Sequence, residues 1–324
     1  MLKSFRNPLL ALAVLVVFGV VVDQALDAYV QLLILFAAVN CMMAMSLNFL
    51  NGYTGQFSLG QAGFMAVGSY FAAYASTHWD FLPPSLHFLS FSVIALGGGL
   101  LAALVGFVVG LPSLRLKGDY LAIVTLGFGE IIRVVLLNMD SLGGPRGYAN
   151  IPTFNSFLSS FSFAALWLVI CFYTLWRILH SSYGRASLSV REDEVAAESL
   201  GINTTSVKVR AFVLSSFFAG VAGAMYAHFT AFINPSSFSF LQSINAVIMV
   251  VLGGMGSMTG SIVAAIFITA LPEVLRPLQA LTGVDLRMVI YSFSLILIMI
   301  LRPKGLLGDL ELSDLWRKYV RRSA

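Results

Sequence analysis

A long uncharged stretch dominates the C-terminal half of this 324-residue chain. Between Arg210 and Glu273, about sixty consecutive residues include no Asp, Glu, Lys or Arg, and most are Ala, Val, Ile, Phe or Gly. A helix rises about 1.5 Å per residue and the hydrocarbon core of a bilayer is about 30 Å thick, so this stretch holds about three crossings. Because backbone groups cannot remain unpaired in lipid, we expect a bundle of membrane-spanning helices.

The overall composition indicates the same class of protein. The chain is 58% hydrophobic and 10% charged, whereas a soluble domain has about 25% charged residues. We therefore expect a single transmembrane domain over residues 1–324, with a cytoplasmic loop at 181–210 and a cytoplasmic C-terminal tail at 302–324. The net charge of +4 gives no indication of nucleic-acid binding, because Lys and Arg beside short loops are the usual determinants of membrane orientation.

Apolar runs separated by turn-forming or charged residues predict about ten transmembrane helices, some of them short or broken. Their approximate bounds are 9–22, 29–50, 58–76, 86–111, 120–139, 162–179, 211–233, 241–252, 261–271 and 288–301. The first run is interpreted as a retained helix, because no convincing cleavage site follows it. The eighth and ninth runs are short enough to be half-helices that meet inside the protein.

Most Lys and Arg residues fall on one side of this predicted bundle. If the chain crosses the membrane ten times, that side contains both termini, the loop at 115–117 and the segment 177–210. Asp80 and Asp140 fall on the other side, together with a minority of cations that includes Arg146. Because positively charged loops remain in the cytoplasm, we expect both termini to be cytoplasmic.

The sequence has no motif for bound cofactors or covalent chemistry. It contains no GxxxxGK[ST] phosphate loop, no HExxH and no CxxC pair. Its four histidines lack the spacing of metal ligands. We therefore expect no catalytic residue and no cofactor in this chain, and an intramembrane enzyme is the least supported function.

The long charged segment, residues 181–210, contains one predicted short helix over 181–201, with Ala196 and Ala197 at its centre and Gly201 as its stop. The charged residues toward one end of this helix are Arg191, Glu192, Asp193 and Glu194. Such a helix is either a solvated loop helix or a docking element, in which small side chains allow close approach and charges fix the register. The residues alone leave both interpretations open.

The run from Arg191 to Asn203 resembles the EAA-type coupling loop of bacterial ABC importer permeases. Across nearly the whole chain, the sequence is similar to the high-affinity branched-chain amino-acid permease family, LivM type. Further matching segments are 46–64, 118–130, 143–147, 250–257 and 302–308. Val195 departs from the general EAA pattern, which has Glu there, although Glu194 lies one place earlier; Ala196, Ala197 and Gly201 fit.

This resemblance implies an ABC importer permease-like bundle in the bacterial inner membrane. Such a subunit pairs with a second permease, receives a branched-chain amino acid from an external binding protein, and is driven by two cytoplasmic ATPase subunits that hold ATP and Mg. The segment 181–210 would then sit in a groove on an ATPase. Related permeases carry other amino acids, urea or small amides. An ion-coupled secondary transporter and a channel or scaffold subunit remain as rival functions.

Two glycine-rich breaks, at 52–63 and 253–260, precede short helices rich in small residues. The N-terminal amides of such helices suit a carboxylate, and transporters use broken helices for that purpose. The alternative is close helix packing through small residues. Gln56, Ser58 and Gln61 in the first break are our candidates for lining the translocation path.

Charged residues in two other places are further candidates. Glu130 and Arg133 lie three residues apart on one face of the fifth predicted span. They form either an internal ion pair between helices or part of the gate or path, because charges at that depth usually face the bundle interior. Arg146, in the loop 140–157 on the external side, either docks the binding protein or belongs to a plain connecting turn.

Overall fold

The structure is a computed structural model that describes residues 8–79, 87–113, 116, 118–276, 290, 292–293, 296–297, 300–302, 305–308 and 311. These residues form helices, turns and an isolated antiparallel bridge between Tyr148 and Ile233. The helices are α1 Pro8–Ala25, α2 Ala28–Asn51, α3 Gln61–His78, α4 His87–Ser113, α5 Asp119–Leu137, α6 Phe157–Leu179, α7 Ser182–Glu192, α8 Glu194–Ser199, α9 Thr204–Thr230, α10 Phe240–Gly253 and α11 Met258–Val274. The predicted helical class is therefore confirmed for the described part of the chain.

Six of the described helices are long and apolar enough to cross a membrane: α1, α2, α4, α5, α6 and α9. The helices at the predicted eighth and ninth spans, α10 and α11, are shorter, with 14 and 17 residues. At the third predicted span, α3 has 18 residues, but many are small or polar and most are buried. The tenth predicted span, 288–301, lies largely outside the described residues, so the count of ten stays a prediction.

Glycines bring α3, α4 and α9 into close contact at the centre of the bundle. Gly68 and Gly223 leave no room for a Cβ, because the carbonyl oxygens of Gly220 and Met65 occupy that space. A Cβ on Gly220 would lie 2.5 Å from the Cβ of Ala102. Small residues of this kind allow helix backbones in a membrane to approach closely. The three helices therefore form a densely packed core.

A second group of helices comprises α2, α10 and α11. Its apolar contact includes Cys41, Met249, Ala264 and Ile268, all buried. The Asn40 side chain donates to Thr269 Oγ1 at 2.9 Å. Because α2 also packs along α9, it connects this group to the glycine-rich core.

The contacts between loops define two ends of the bundle. We name the end that carries α7 and α8 the coupling end, and the end that carries residues 138–156 the opposite end. At the opposite end, Tyr148 and Ile233 exchange backbone hydrogen bonds of 2.8 and 3.0 Å, and Tyr148 Oη is 2.6 Å from Thr77 Oγ1. Asn234 Nδ2 donates to the Pro145 carbonyl at 3.2 Å. Residues 145–148 are thereby fixed against the ends of α3 and α9.

Candidate functional site

The predicted short helix of the coupling segment, residues 181–210, is divided into two helices. α7 ends at Glu192, and Asp193 then adopts an extended conformation with φ of −156°. The Asp193 carboxylate accepts hydrogen bonds from Val195 N at 2.9 Å and Ala196 N at 3.0 Å. A side chain that caps its own helix start in this way favours a new helix over continuation of the old one. The prediction of one helix was therefore wrong, and Asp193 is the physical reason.

The C-terminal end of α8 follows the prediction more closely. Gly201 has φ of +82°, a left-handed conformation that Gly adopts without strain. Its backbone N–H donates to the Glu198 carbonyl at 2.9 Å. Gly201 thus turns the chain from α8 toward α9, as expected for a glycine just beyond a helix end.

The two central alanines of α8 face in opposite directions. Ala197 is buried and packs with Val190 and Val207, whereas Ala196 is exposed. Two apolar side chains of the same region, Val195 and Leu200, are 70% and 81% exposed. α8 therefore presents an apolar outer surface, while Ala197 attaches its inner side to α7 and α9.

Polar contacts fix α8 to the first turns of α9. Glu194 forms an ion pair with Lys208, and Glu198 Oε1 accepts a hydrogen bond of 2.6 Å from Thr204 Oγ1. Tyr183 of α7 donates to the Val207 carbonyl at 2.7 Å. Because Lys208 is a buried residue, its pairing with Glu194 avoids the cost of an unpaired buried charge. Displacement of α8 will therefore also displace the start of α9.

Arg191 joins the coupling segment to the first glycine-rich break. Its Nη1 donates to the Gly52 carbonyl at 2.7 Å. A Cβ on Gly55, which has φ of +69°, would lie 3.4 Å from Arg191 Cα. The Arg191 side chain thus lies along residues 52–55 while its charged tip holds the end of α2.

Within the first glycine-rich break, Gln56, Ser58 and Gln61 are at most 3% exposed. Gln61 Nε2 donates to Ser46 Oγ at 2.8 Å, and Gln61 Oε1 accepts from Ser215 Oγ at 3.4 Å. In contrast, Gln56 Oε1 has no hydrogen-bond partner within the described structure. It borders a pocket that is also lined by Arg191. The three side chains therefore lie inside the subunit, and their role in a translocation path stays a prediction.

The backbone amides at the start of α3 are paired with side chains of other helices. Leu59 N donates to Thr125 Oγ1 and Ala62 N to Ser243 Oγ, each at 3.0 Å. Ser58 N donates to Asn51 Oδ1 at 3.3 Å. These contacts agree with the alternative of close helix packing at this break. The amides that could have bound a carboxylate already donate to side chains of the protein.

Glu130 and Arg133 form an ion pair on α5, with Arg133 Nε 2.7 Å from Glu130 Oε2. The two side chains are 32% and 27% exposed, respectively. Glu130 Oε1 also accepts a hydrogen bond of 3.2 Å from Phe240 N. The carboxylate therefore caps the start of α10, a contact between helices that the spacing of the two residues does not indicate.

Arg146 lies at the opposite end, exposed, in a short 3₁₀ helix Gly144–Arg146. The neighbouring Gly143 and Gly147 both have positive φ, of +83° and +79°. Such values are readily adopted only by Gly, so the glycine-rich sequence fixes the turn that presents Arg146. Arg146 thus lies at the opposite end from the coupling segment, and its external position and its contact with a binding protein stay predictions.

Two residues at the coupling end, Asn48 and Glu311, make contacts that the sequence does not predict. Asn48 Nδ2 donates to the Ser257 carbonyl at 2.8 Å, and its Oδ1 accepts from Gly256 N at 3.0 Å. Glu311 accepts hydrogen bonds from Met258 N at 2.9 Å and Thr259 N at 3.2 Å. Asn48 was detectable as a buried amide within an apolar helix, whereas the isolated Glu311 carries no local signal. In the described residues, no group of three or more His, Cys, Asp or Glu side chains is placed to bind a metal.

Comparison with known proteins identifies the family. The model of the family described as branched-chain amino acid transport system, permease component, matches residues 29–300. The chain is 36% identical over 302 residues to the high-affinity branched-chain amino acid transport system permease protein LivM of Escherichia coli K12, which covers 82% of this chain and 67% of LivM. The probable LivM of Methanocaldococcus jannaschii is 25% identical over 324 residues, covering 86% and 93% of the two chains.

A different permease of the same named system is also similar. LivH of Escherichia coli K12 is 32% identical over 163 residues, which cover 50% of each chain. No solved structure matches the chain. The family match over residues 29–300 and the LivM similarity, with apolar helices of spanning length, show that this multi-pass membrane protein belongs to the branched-chain amino acid transport system permease family.

Proposed function

We propose that this protein is one of two permease subunits of an ATP-driven ABC importer for branched-chain amino acids. The second permease subunit resembles LivH, two cytoplasmic ATPase subunits hold ATP and Mg, and an external binding protein delivers the substrate. The observation that carries the proposal is the outer surface of α8. It is apolar and exposed, yet α8 is attached to α9 by an ion pair and a hydrogen bond.

An exposed apolar surface on a short helix suits a protein partner. Val195 and Leu200 are the exposed apolar side chains, and Ala196 between them is small enough for close approach. Glu192, with a side chain 77% exposed, and Glu198 add charges beside this surface. Apolar anchors beside charged side chains are typical of specific protein interfaces. An ATPase that displaces α8 would therefore also move α7 and the start of α9.

The first experiment is a purification of the complex in mild detergent, with mass spectrometry of its partners and an ATPase assay. Ala196→Arg places a long charged side chain on the outer surface of α8, so we expect loss of the ATPase subunits and of hydrolysis. Ala149→Arg is the matched control, because Ala149 is exposed at the opposite end. It should retain both ATPase subunits and basal hydrolysis.

Two results would contradict the proposal. Purification of the wild-type chain alone, with uptake driven by an ion gradient in vesicles, would instead support a secondary transporter. Retention of the ATPase subunits by Ala196→Arg would show that α8 is not their docking surface. Uptake assays with leucine, isoleucine and valine, against urea and small amides, then test the cargo, for which the names of the relatives support the branched-chain amino acids.

The orientation in the bacterial inner membrane is tested by cysteine labelling. We propose that the coupling end and both termini are cytoplasmic. Cys41 and Cys171 are buried, so single cysteines at exposed positions give the main signal. In intact cells, Asn150→Cys should react with a membrane-impermeant maleimide, whereas Ser199→Cys should react only after lysis. The reverse pattern would invert the proposed orientation.

The proposed contact with the binding protein is tested at Arg146. Arg146→Glu reverses an exposed charge on a turn that is fixed by Gly143 and Gly147. Charge reversal at the rim of an interface chiefly lowers the association rate. We therefore expect several-fold more binding protein to be needed for half-maximal stimulation of hydrolysis. An unchanged dose response would exclude this contact.

A further inference from the structure

The first turn of α11 is capped by a carboxylate from the C-terminal part of the chain. Glu311 Oε1 accepts from Met258 N at 2.9 Å, and Glu311 Oε2 accepts from Thr259 Oγ1 at 2.6 Å. A negative charge at a helix N-terminus is favoured by the helix dipole and by the amides that lack partners there. Leu306, five residues before Glu311, is held at the end of α10, because Leu306 N donates to the Leu252 carbonyl at 2.7 Å.

The same carboxylate also contacts the first glycine-rich break. Tyr53 Oη donates to Glu311 Oε1 at 3.2 Å. Tyr53 is 8% exposed, and burial, followed by the Glu311 charge, raises the pKa of its hydroxyl far above the ordinary value. Tyr53 therefore keeps its proton and remains a donor to Glu311.

Gly52, the residue before Tyr53, links these contacts to the coupling segment. Its carbonyl accepts the hydrogen bond from Arg191. On its other side, a Cβ at Gly52 would overlap the Asn48 side chain and lie 2.5 Å from Gly256 N. Residues 52–53 are thus packed between the coupling segment and the turn that joins α10 to α11.

We propose that Glu311 is a positioning residue for transport coupling. Its carboxylate connects the coupling segment, through residues 52–53, to the first turn of α11. The inference rests on the proposed function, since it assumes that ATPase subunits displace α7 and α8. Arg191 transmits the displacement to Gly52, and Tyr53 passes it to Glu311. Glu311 then moves α11, because it holds two of that helix's terminal amides.

The test measures leucine transported per ATP hydrolysed, in proteoliposomes that contain the complete complex and binding protein. Glu311→Ala and Tyr53→Phe each remove the contact between residue 53 and residue 311. We expect each to lower this ratio about tenfold, the size of effect that loss of one hydrogen bond to a charged group produces. The double variant should lower it no further, because both changes remove the same contact.

The ratio of leucine transported to ATP hydrolysed distinguishes a positioning role of Glu311 from a purely stabilising role. If Glu311 only stabilised the fold, uptake and hydrolysis would fall together and their ratio would stay at the wild-type value, which would overturn the inference. Tyr53→Phe keeps the ring and gives the decisive result if Glu311→Ala does not assemble. Tyr173→Phe, in α6, is the control for loss of a tyrosine hydroxyl and should leave the ratio unchanged. A wild-type complex without ATP-driven uptake would instead overturn the proposed function itself.

Discussion

The starts of α3 and α11 both follow glycine-rich breaks, yet their amides are paired by different kinds of group. At α3, the partners are the neutral side chains of Asn51, Thr125 and Ser243, all buried. At α11, the main partner is the carboxylate of Glu311, which is only partly buried. The two breaks look equivalent in the sequence. In the structure, α3 has a neutral cap in the interior, whereas α11 has a charged cap at the coupling end.

This difference follows from the cost of charge at depth. A carboxylate within the apolar interior is expensive unless it is paired, so hydroxyl and amide groups are the better partners for α3. Near the coupling end, a charge costs less and binds helix amides more strongly. We therefore interpret the α3 start as a fixed structural element, and the α11 start as an element whose cap can respond to the coupling segment.

The largest effect is expected from a substitution that disrupts the packing at the start of α3. Gly63→Ala introduces a Cβ 2.8 Å from Gly129 Cα, where a backbone must shift. Overpacking of this kind costs about 3 kcal/mol, so we expect a clear loss of stability in thermal unfolding of the detergent-solubilised protein. Gly127→Ala on α5 is the matched control, because nothing lies within 4 Å of its Cβ position. Equal stability of the two variants would contradict close packing at this break.

Two isosteric substitutions, one at each helix start, test the difference between α3 and α11 and should have effects of intermediate size. Thr125→Val removes the acceptor of Leu59 N, and an unpaired backbone donor costs about 2 kcal/mol. Thr259→Val removes one of the hydrogen bonds to Glu311 but leaves Met258 N and Thr259 N in place, so we expect a loss of about 1 kcal/mol or less.

Hydrogen exchange assigns each of these losses to its own break. Thr125→Val should increase exchange at Leu59 without affecting the first turn of α11. Thr259→Val should do the reverse, increasing exchange near Met258 alone. An increase at both breaks in either variant would show that the two helix starts form one cooperative unit, and the distinction between them would then be lost.

The sequence predicted the elements that local patterns determine. Apolar runs located α1, α2, α4, α5, α6 and α9, and glycine clusters located the breaks before α3 and α11. The N-cap at Asp193 was also local, since it precedes Glu-Val-Ala-Ala, but a continuous helical pattern concealed it. Periodicity identifies a helix face without identifying the helix that packs against it.

The partners of the helix starts depend on that missing information. Thr125 is 66 residues from Leu59 along the chain, and Glu311 is 53 residues from Met258. An isolated Thr or Glu looks the same in a sequence whether it caps a distant helix or contacts solvent. The predicted pair of Glu130 and Arg133 was recognised because its spacing is local, but the contact from Glu130 to Phe240 N was not.

The smallest expected effect concerns that third capped helix start, at α10. Glu130→Gln keeps an acceptor for Phe240 N but removes the charge that pairs with Arg133. Because both side chains are about a third exposed, at 32% and 27%, the change should cost about 1 kcal/mol or less.

If Glu130 is only structural, uptake by the folded variant stays at the wild-type level, which removes it from the mechanism. Reduced uptake by a folded and fully assembled complex would instead place this charge in the gate or path. The start of α10 would then join that of α11 as a charged cap with a role in transport, leaving α3 as the neutral and purely structural one.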